Sequence, residues 1–276
     1  MMRGRVLVIA GSDPTAGAGL QADLKTITAL GGYGMTVVTA ITVQDTTTVS
    51  QVIPLEAELV VRQAVACLDD IGADCIKIGM LAGAATVEAV VTLLEHYPGI
   101  PVVLDPVLRG TGGGTLLTAD GVQQLRRRLL ARTLLLTPNV PEAELLSGQT
   151  IVDRAGMEQA ARTLATMVPY VLLKGSHLPV AATVTDVLCH GDTVTRFTAP
   201  RIDGPGFHGT GCTLAAAIAA GLAQGHTMSG SIETGRAFLR EAMGHGFTYG
   251  RGQYLLHHGW YQNTSSRAAL MPSQPR

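Results

Sequence analysis

The sequence predicts an α/β fold whose central, mostly parallel sheet carries helices on both faces. Three observations predict it. Short β-branched runs alternate with segments of helical period along most of the 276 residues. The composition is 46% hydrophobic but only 4% aromatic, which suits a sheet with closely packed helices. Every predicted strand of that sheet runs into a polar residue or a glycine, at the end where such sheets bind ligands.

Val6–Ile9 reads as the first strand. Leu20, Leu24, Ile27 and Leu30 follow at helical spacing, and Gly31-Gly32 ends that helix. Thr36–Val43 is the second strand, and a helix runs from Pro54 to Leu68 with Pro54 at or just before its first turn. Next come strand Cys75–Ile78, helix Thr86–His96, strand Val102–Leu104, helix Ala119–Leu130 and strand Leu134–Leu136. Helices Pro141–Ser147, closed by Gly148, and Arg154–Met167 precede strand Val171–Leu173. Val184–Cys189 and Thr193–Phe197 form an antiparallel hairpin around His190-Gly191-Asp192. The rest is helical, with Gly211–Ala223 and about Ser229–Gly244. One domain is expected over 1–260, and 261–276, turning to Ser, Gln and Pro, reads as a flexible tail.

The formal net charge of −1 gives no footprint for nucleic acid. No stretch approaches the ~18 apolar residues of a membrane span, and the first apolar run is too short for a signal core. The four cysteines form no zinc template and read as reduced thiols, so a cytoplasmic protein is expected.

Phe207-His208-Gly209-Thr210-Gly211-Cys212-Thr213-Leu214 enters the helix that starts near Gly211. The first N–H groups of a helix lack internal partners and carry the positive end of its dipole. Glycines let the chain turn those groups toward one anion. No Gly-Lys dipeptide occurs, so this is not a P-loop. A thiol at such a helix start is expected to have a lowered pKa, which would make Cys212 a proton acceptor; the alternative is a small buried apolar residue. Phosphoryl transfer needs positioning and charge neutralisation, and Mg2+ takes one or two carboxylates with phosphate oxygens. Asp105 and Glu142 are candidates, against a turn and a helix-start residue as alternatives. Lys174 after its strand could meet nucleotide phosphates or be a solvated strand end.

Gly17-x-Gly19-x-x-Ala22 with Asp45 resembles a dinucleotide fingerprint, but Gly11–Ala16 separates it from its strand. Those glycines read instead as a flexible substrate-side loop, with Asp23 on the helix behind. Arg126-Arg127-Arg128 reads as a solvated helix end, His257-His258 lacks partner ligands, and Thr111–Gly114 reads as a mobile loop.

The motifs Ala10-Gly11-Ser12-Asp13-Pro14, Gly17–Thr26, Lys77-Ile78-Gly79-Met80-Leu81, Asp105-Pro106-Val107, Thr137-Pro138-Asn139-x-x-Glu142, Lys174-Gly175-Ser176-His177 and His208–Thr213 occur in this order. Over residues 5 to about 250 the chain resembles the hydroxymethylpyrimidine/phosphomethylpyrimidine kinases of thiamine biosynthesis, a ribokinase-like branch. The resemblance implies a three-layer α/β/α sandwich, a homodimer, and two ATP- and Mg2+-dependent phosphorylations in one pocket. It implies that Gln44 meets the amino-nitrogen edge of the pyrimidine, with Gly11, Asp23, Met80 and Val107 lining that pocket. Gly209, Thr210, Gly211 and Cys212 would form the anion hole, with Cys212 where relatives hold an aspartate base. Asn139 and Lys174 would serve the nucleotide, Asp105 and Glu142 the metal. The chain departs at Thr15-Ala16, at Asp45 and at Arg109–Gly114, where a lysine is usual. Rival readings are a pyridoxal kinase, a non-catalytic pyrimidine-binding regulator and, more distantly, a dinucleotide oxidoreductase.

Overall fold

The structure is a computed structural model, and it describes residues 4–110, 113–178, 182–202, 204 and 206–263. Part of the Thr111–Gly114 loop and most of the 261–276 tail lie outside the described residues.

The order is β1 (Arg5–Ser12), α1 (Gly19–Ala29), β2 (Tyr33–Gln44), β3 (Val49–Pro54), α2 (Ala57–Asp70), β4 (Cys75–Ile78), α3 (Ala84–His96), β5 (Val102–Leu104) and α4 (Ala119–Gln124). It continues with β6 (Leu135–Leu136), α5 (Val140–Ser147), α6 (Arg154–Leu164), β7 (Tyr170–Leu173), β8 (Thr183–His190), β9 (Thr193–Pro200), β10 (Phe207–His208), α7 (Thr210–Ala223), α8 (Met228–Gly244) and β11 (Tyr254–Leu255). The main sheet runs β3-β2-β1-β4-β5-β6-β7-β8-β9. Its strands from β2 through β7 pair in parallel, and β3, β8 and β9 add antiparallel margins.

β1 shows why the centre forms. Leu7 and Ile9 enter the core on the α2 to α6 face, while Val6, Val8 and Ala10 enter the core with α1, α7 and α8. A strand buried on both faces reads as a continuous apolar run rather than an alternation. From β1 the chain moves outward to β2 and then returns to β4 on the other side. Such a reversal opens a crevice at the carboxyl ends of the strands.

Three sequence expectations are corrected. Pro54 ends β3, an unpredicted strand antiparallel to β2, and the helix begins only at Ala57. The α-helix from Ala119 stops at Gln124, where a π turn over Leu125–Leu129 takes over. That wider turn keeps Leu125 and Leu129 buried and leaves Arg128 outside, paired with Glu88. After α8 the chain is not wholly helical, because Tyr254-Leu255 pairs in parallel with Phe207-His208.

Candidate active site

Six strand ends meet at one edge of the sheet. They deliver Gly11 and Asp13 from β1, Gln44 from β2, Met80 after β4, Asp105 after β5, Asn139 after β6 and Lys174 after β7. Across them lies the start of α7, whose N-cap Gly209 has φ 79° and no side-chain cap. A side chain at Gly209 would strike the Gly17 carbonyl, so the turn requires glycine. Thr213 N–H makes the first helical bond, to Gly209, and the N–H groups before it start the helix.

The decisive contact is at Gly211. A Cβ there would stand 3.1 Å from Lys174 Nζ and 3.2 Å from Asp105 Oδ2. The start of α7 and the charged pair are therefore one place. Lys174 is no solvated strand end: its ammonium donates to Asp105 Oδ1 at 2.9 Å, and its side chain is 13% exposed. Thr137 Oγ1 donates to the same carboxylate oxygen at 3.1 Å. Burial would raise Asp105, but Lys174 and Lys77 hold it below the ordinary carboxylate range. Burial would lower Lys174, yet Asp105 and Glu142 raise it.

Asn139 and Glu142 form a capping box at the start of α5: each side chain accepts the other's backbone N–H, at 2.9 and 2.8 Å. Burial, with the nearby Asp105 charge, pushes the Glu142 carboxyl up to about 7 against the pull of Lys174.

Cys212 corrects the expectation of a low thiol pKa. Burial pushes it up to about 12, against the pull of Lys77 and of the Gly19 N–H. Asp23 and Asp105 add to the rise, so the surrounding carboxylates and lost water outweigh the helix start.

Gly17 and Gly19 also differ from the expected flexible loop. A Cβ on Gly17 would strike the His208 ring, and one on Gly19 would strike the Gly11 carbonyl. These glycines permit close approach, and Gly19 opens α1 facing the start of α7. Asp45 accepts the N–H groups of Thr47 and Thr48 in its own turn, which disposes of the dinucleotide fingerprint.

On the acceptor side, Met80 packs with Ala40 and Ala82, and Val107 joins them. A Cβ on Gly11 would reach Met80 Sδ at 2.9 Å, so these three predicted lining residues do converge. Gln44 stands at the end of β2, its amide 2.9 Å from His208 Nε2. Asp23 is wholly buried, paired at 2.8 Å with an equally buried Lys77, and its Oδ1 has no hydrogen-bond partner among the described residues. Burial pushes Asp23 up to about 6 against the pull of Lys77. Burial would lower Lys77, but Asp23, Cys212 and Asp105 raise it, so the pair stays ionic near neutrality.

Sequence reasoning did not single out Lys77, Asp13 or His208, which the structure pairs with Asp23, with each other and with Gln44. Lys77 had a local signal: a lysine inside Cys75-Ile76-Lys77-Ile78 must point into a buried face. Asp13 and His208 had none, because they meet only through the fold, at 2.9 Å.

A family model described as phosphomethylpyrimidine kinase matches residues 13–257. The hydroxymethylpyrimidine/phosphomethylpyrimidine kinase of Bacillus subtilis is 38% identical over 262 residues, covering 95% of this chain and 97% of that one. The thiamine biosynthesis bifunctional protein ThiED of Geobacter sulfurreducens is 43% identical over 93% of this chain, which spans 52% of that protein's length. Among solved structures, the ADP complex of Bacillus subtilis pyridoxal kinase superposes with a TM-score of 0.87 at 31% identity, covering 95% of this chain and 100% of that one.

Proposed function

The chain belongs to the phosphomethylpyrimidine kinase family, and on that premise we propose that it phosphorylates one pyrimidine twice with ATP. The first acceptor is the hydroxymethyl oxygen of 4-amino-5-hydroxymethyl-2-methylpyrimidine; the second is the resulting monophosphate, and the diphosphate serves thiamine biosynthesis. The observation that carries this reading is the convergence of Lys174 and Asp105 on Gly211, at the start of α7.

In each step the acceptor oxygen bonds the γ-phosphorus while the bond to the bridging oxygen breaks and ADP leaves. The N–H groups at the start of α7 meet the charge on the migrating group. Lys174 exchanges Asp105 for phosphate oxygens, and Asn139 stands beside it through a backbone bridge. Gln44 takes the amino-nitrogen edge of the ring, with Met80, Val107 and Gly11 against it and Asp23 beneath. Asp105 and Glu142 offer hard oxygens, a donor set suited to Mg2+ that fills its remaining positions with phosphate and water. That ion, when bound, neutralises charge on the phosphates.

The two steps differ in their protons. A neutral alcohol must lose one, and Cys212 takes it only as thiolate. A phosphate monoester is already an anionic nucleophile. Product analysis with ATP and the pyrimidine alcohol tests the assignment: monophosphate followed by diphosphate is expected, and no ATP consumption would leave a binding protein only. Pyridoxal belongs in the same assay, because the fold superposes so closely on a pyridoxal kinase.

The kinase unit is read as one domain over 1–260, acting in the cytoplasm with all four cysteines free. Among the described residues no helix is long and apolar enough to cross a membrane. A homodimer is supported by Ile41, Val43 and Ile53, which share an exposed apolar face of the β2–β3 ribbon; light scattering tests it.

A further inference from the structure

We propose that His208 is a positioning residue that locks the side-chain amide of Gln44 in one of its two orientations, and so makes the site select an aminopyrimidine over the corresponding oxopyrimidine. The proposal rests on Gln44 meeting the pyrimidine, and concerns which way its amide faces.

The inference follows from counting protons. Asp13 is buried and accepts from Thr15 N–H, Thr15 Oγ1 and Ala18 N–H at 2.8 to 3.0 Å. Burial would raise its pKa, but these bonds and His208 keep it below the ordinary range, so it only accepts. His208 Nε2 lies 2.9 Å from Asp13 Oδ2. That nitrogen must therefore carry a proton, whether the ring is neutral or charged. The amide head of Gln44 stands 2.9 Å from the same Nε2 on one side and 3.4 Å from Thr42 Oγ1 on the other. With its nitrogen toward His208, N–H would oppose N–H there. At Thr42 the single hydroxyl proton is then shared between the Ser12 carbonyl at 2.9 Å and the Gln44 oxygen at 3.4 Å, so the conflict lies at His208 alone. Turning the amide by 180° removes that conflict and keeps a bond at Thr42. An amide's orientation is assigned by its partners in this way. The Gln44 oxygen then shares the one His208 Nε2–H with Asp13 Oδ2 in a three-centre bond, and the NH2 group donates to Thr42.

The lock is stiff. Gly17 lies so close to the His208 ring that a side chain there would collide with Cδ2. Asp13 is itself held by the turn that precedes α1. Two sides of the Gln44 amide being occupied, its free lone pair and second N–H form an acceptor–donor edge of fixed order. An amino group beside a ring nitrogen complements that order. An oxo group beside a ring N–H presents the reverse, and a freely rotating amide would accept either.

The test compares kcat/KM and calorimetric Kd for the 4-amino and 4-oxo hydroxymethylpyrimidines in wild type, His208→Phe and His208→Gln. The wild type is expected to favour the amino compound by at least ~100-fold, in line with buried mispaired hydrogen bonds. His208→Phe should collapse that ratio at least tenfold, mostly through KM for the pyrimidine, with KM for ATP little changed. His208→Gln, which can still donate, should restore part of it. Parallel losses for both compounds would overturn the proposal in favour of a structural role. Gln44→Ala separates the premise: if it leaves wild-type selectivity intact, Gln44 does not read the ring at all. Should both His208 variants fail to fold, side-chain NMR of the unmutated protein still decides. Gln44 NH2 protons close to Thr42 support the lock, and protons close to the His208 ring defeat it.

Discussion

Two buried lysine–aspartate pairs sit close together in this protein and behave as different objects. Lys77–Asp23 and Lys174–Asp105 have nearly the same length, 2.8 and 2.9 Å. The first comes from inside β4 and is fully enclosed; the second comes from the ends of β5 and β7, and its lysine is 13% exposed. An enclosed pair cannot exchange partners, because separating it leaves a bare charge without water. A pair at the mouth can, because an arriving anion, a phosphate in the proposed function, takes the place of the carboxylate. On the proposed function, similar geometry thus gives a closed ion pair near Cys212 in one place and an exchangeable phosphate contact in the other.

Lys77→Met should break this comparison most forcibly. It strands the Asp23 charge, and a loss of about 3–5 kcal/mol in denaturant unfolding is expected. Pairing it with Asp23→Leu should recover most of that stability, since apolar replacements of buried pairs are often neutral. Lys174→Met also strands a buried carboxylate, Asp105, but at the mouth where water can reach it, so it should cost clearly less stability than Lys77→Met while kcat/KM falls roughly 10²–10³-fold. If both lysine variants unfold alike, the distinction between the pairs is lost.

Cys212→Ala sharpens the role of the enclosed charge. The first phosphorylation should slow by about 10²–10⁴-fold and the second by much less. With the thiol pushed up to about 12, the wild-type first step should also quicken roughly tenfold per pH unit above neutrality, while the second stays flat. Equal pH profiles for the two separately assayed steps would remove the base role.

The smallest effect concerns stability against acid. Thr213, next to Cys212, shares a 2.9 Å hydrogen bond with buried His258, whose pKa burial pushes down to about 4. The unfolded histidine takes a proton near pH 6.5, and the folded one does not until about pH 4. Between those values the unfolded state binds more protons, so stability falls as pH falls. At ~1.4 kcal/mol per unit the loss reaches at most about 3.5 kcal/mol. Melting temperatures should drop across that window, and His258→Gln should flatten the slope.

Much of the fold was legible in the chain. Val102–Leu104 carried the apolar run that two-sided burial demands, and its bounds and those of Cys75–Ile78 were read correctly. β3 was not legible, because it is a largely exposed strand that ends in proline, where residue choice is loose. The two-residue strands β10 and β11 are too short to have a period. The glycine turn into α7 was legible from Gly209 to Cys212, since glycine and helix-start geometry are local. The thiol's protonation was not, because it depends on Asp23, Lys77 and Asp105, which arrive from other elements.

Residue order by itself determined the alternation of strands and helices, the strand-end placement of Gly11, Asp105 and Lys174, and the glycine turn into α7. Each of these follows from backbone preference or from burial of a short segment. Only the tertiary structure decided which charges became partners, that Cys212 rests as a neutral thiol, and that Asp13, His208 and Gln44 form one chain of contacts. The reason is range. Backbone preference acts over a few neighbours, whereas electrostatics and proton sharing act across space between residues as far apart in the chain as Asp13 and His208.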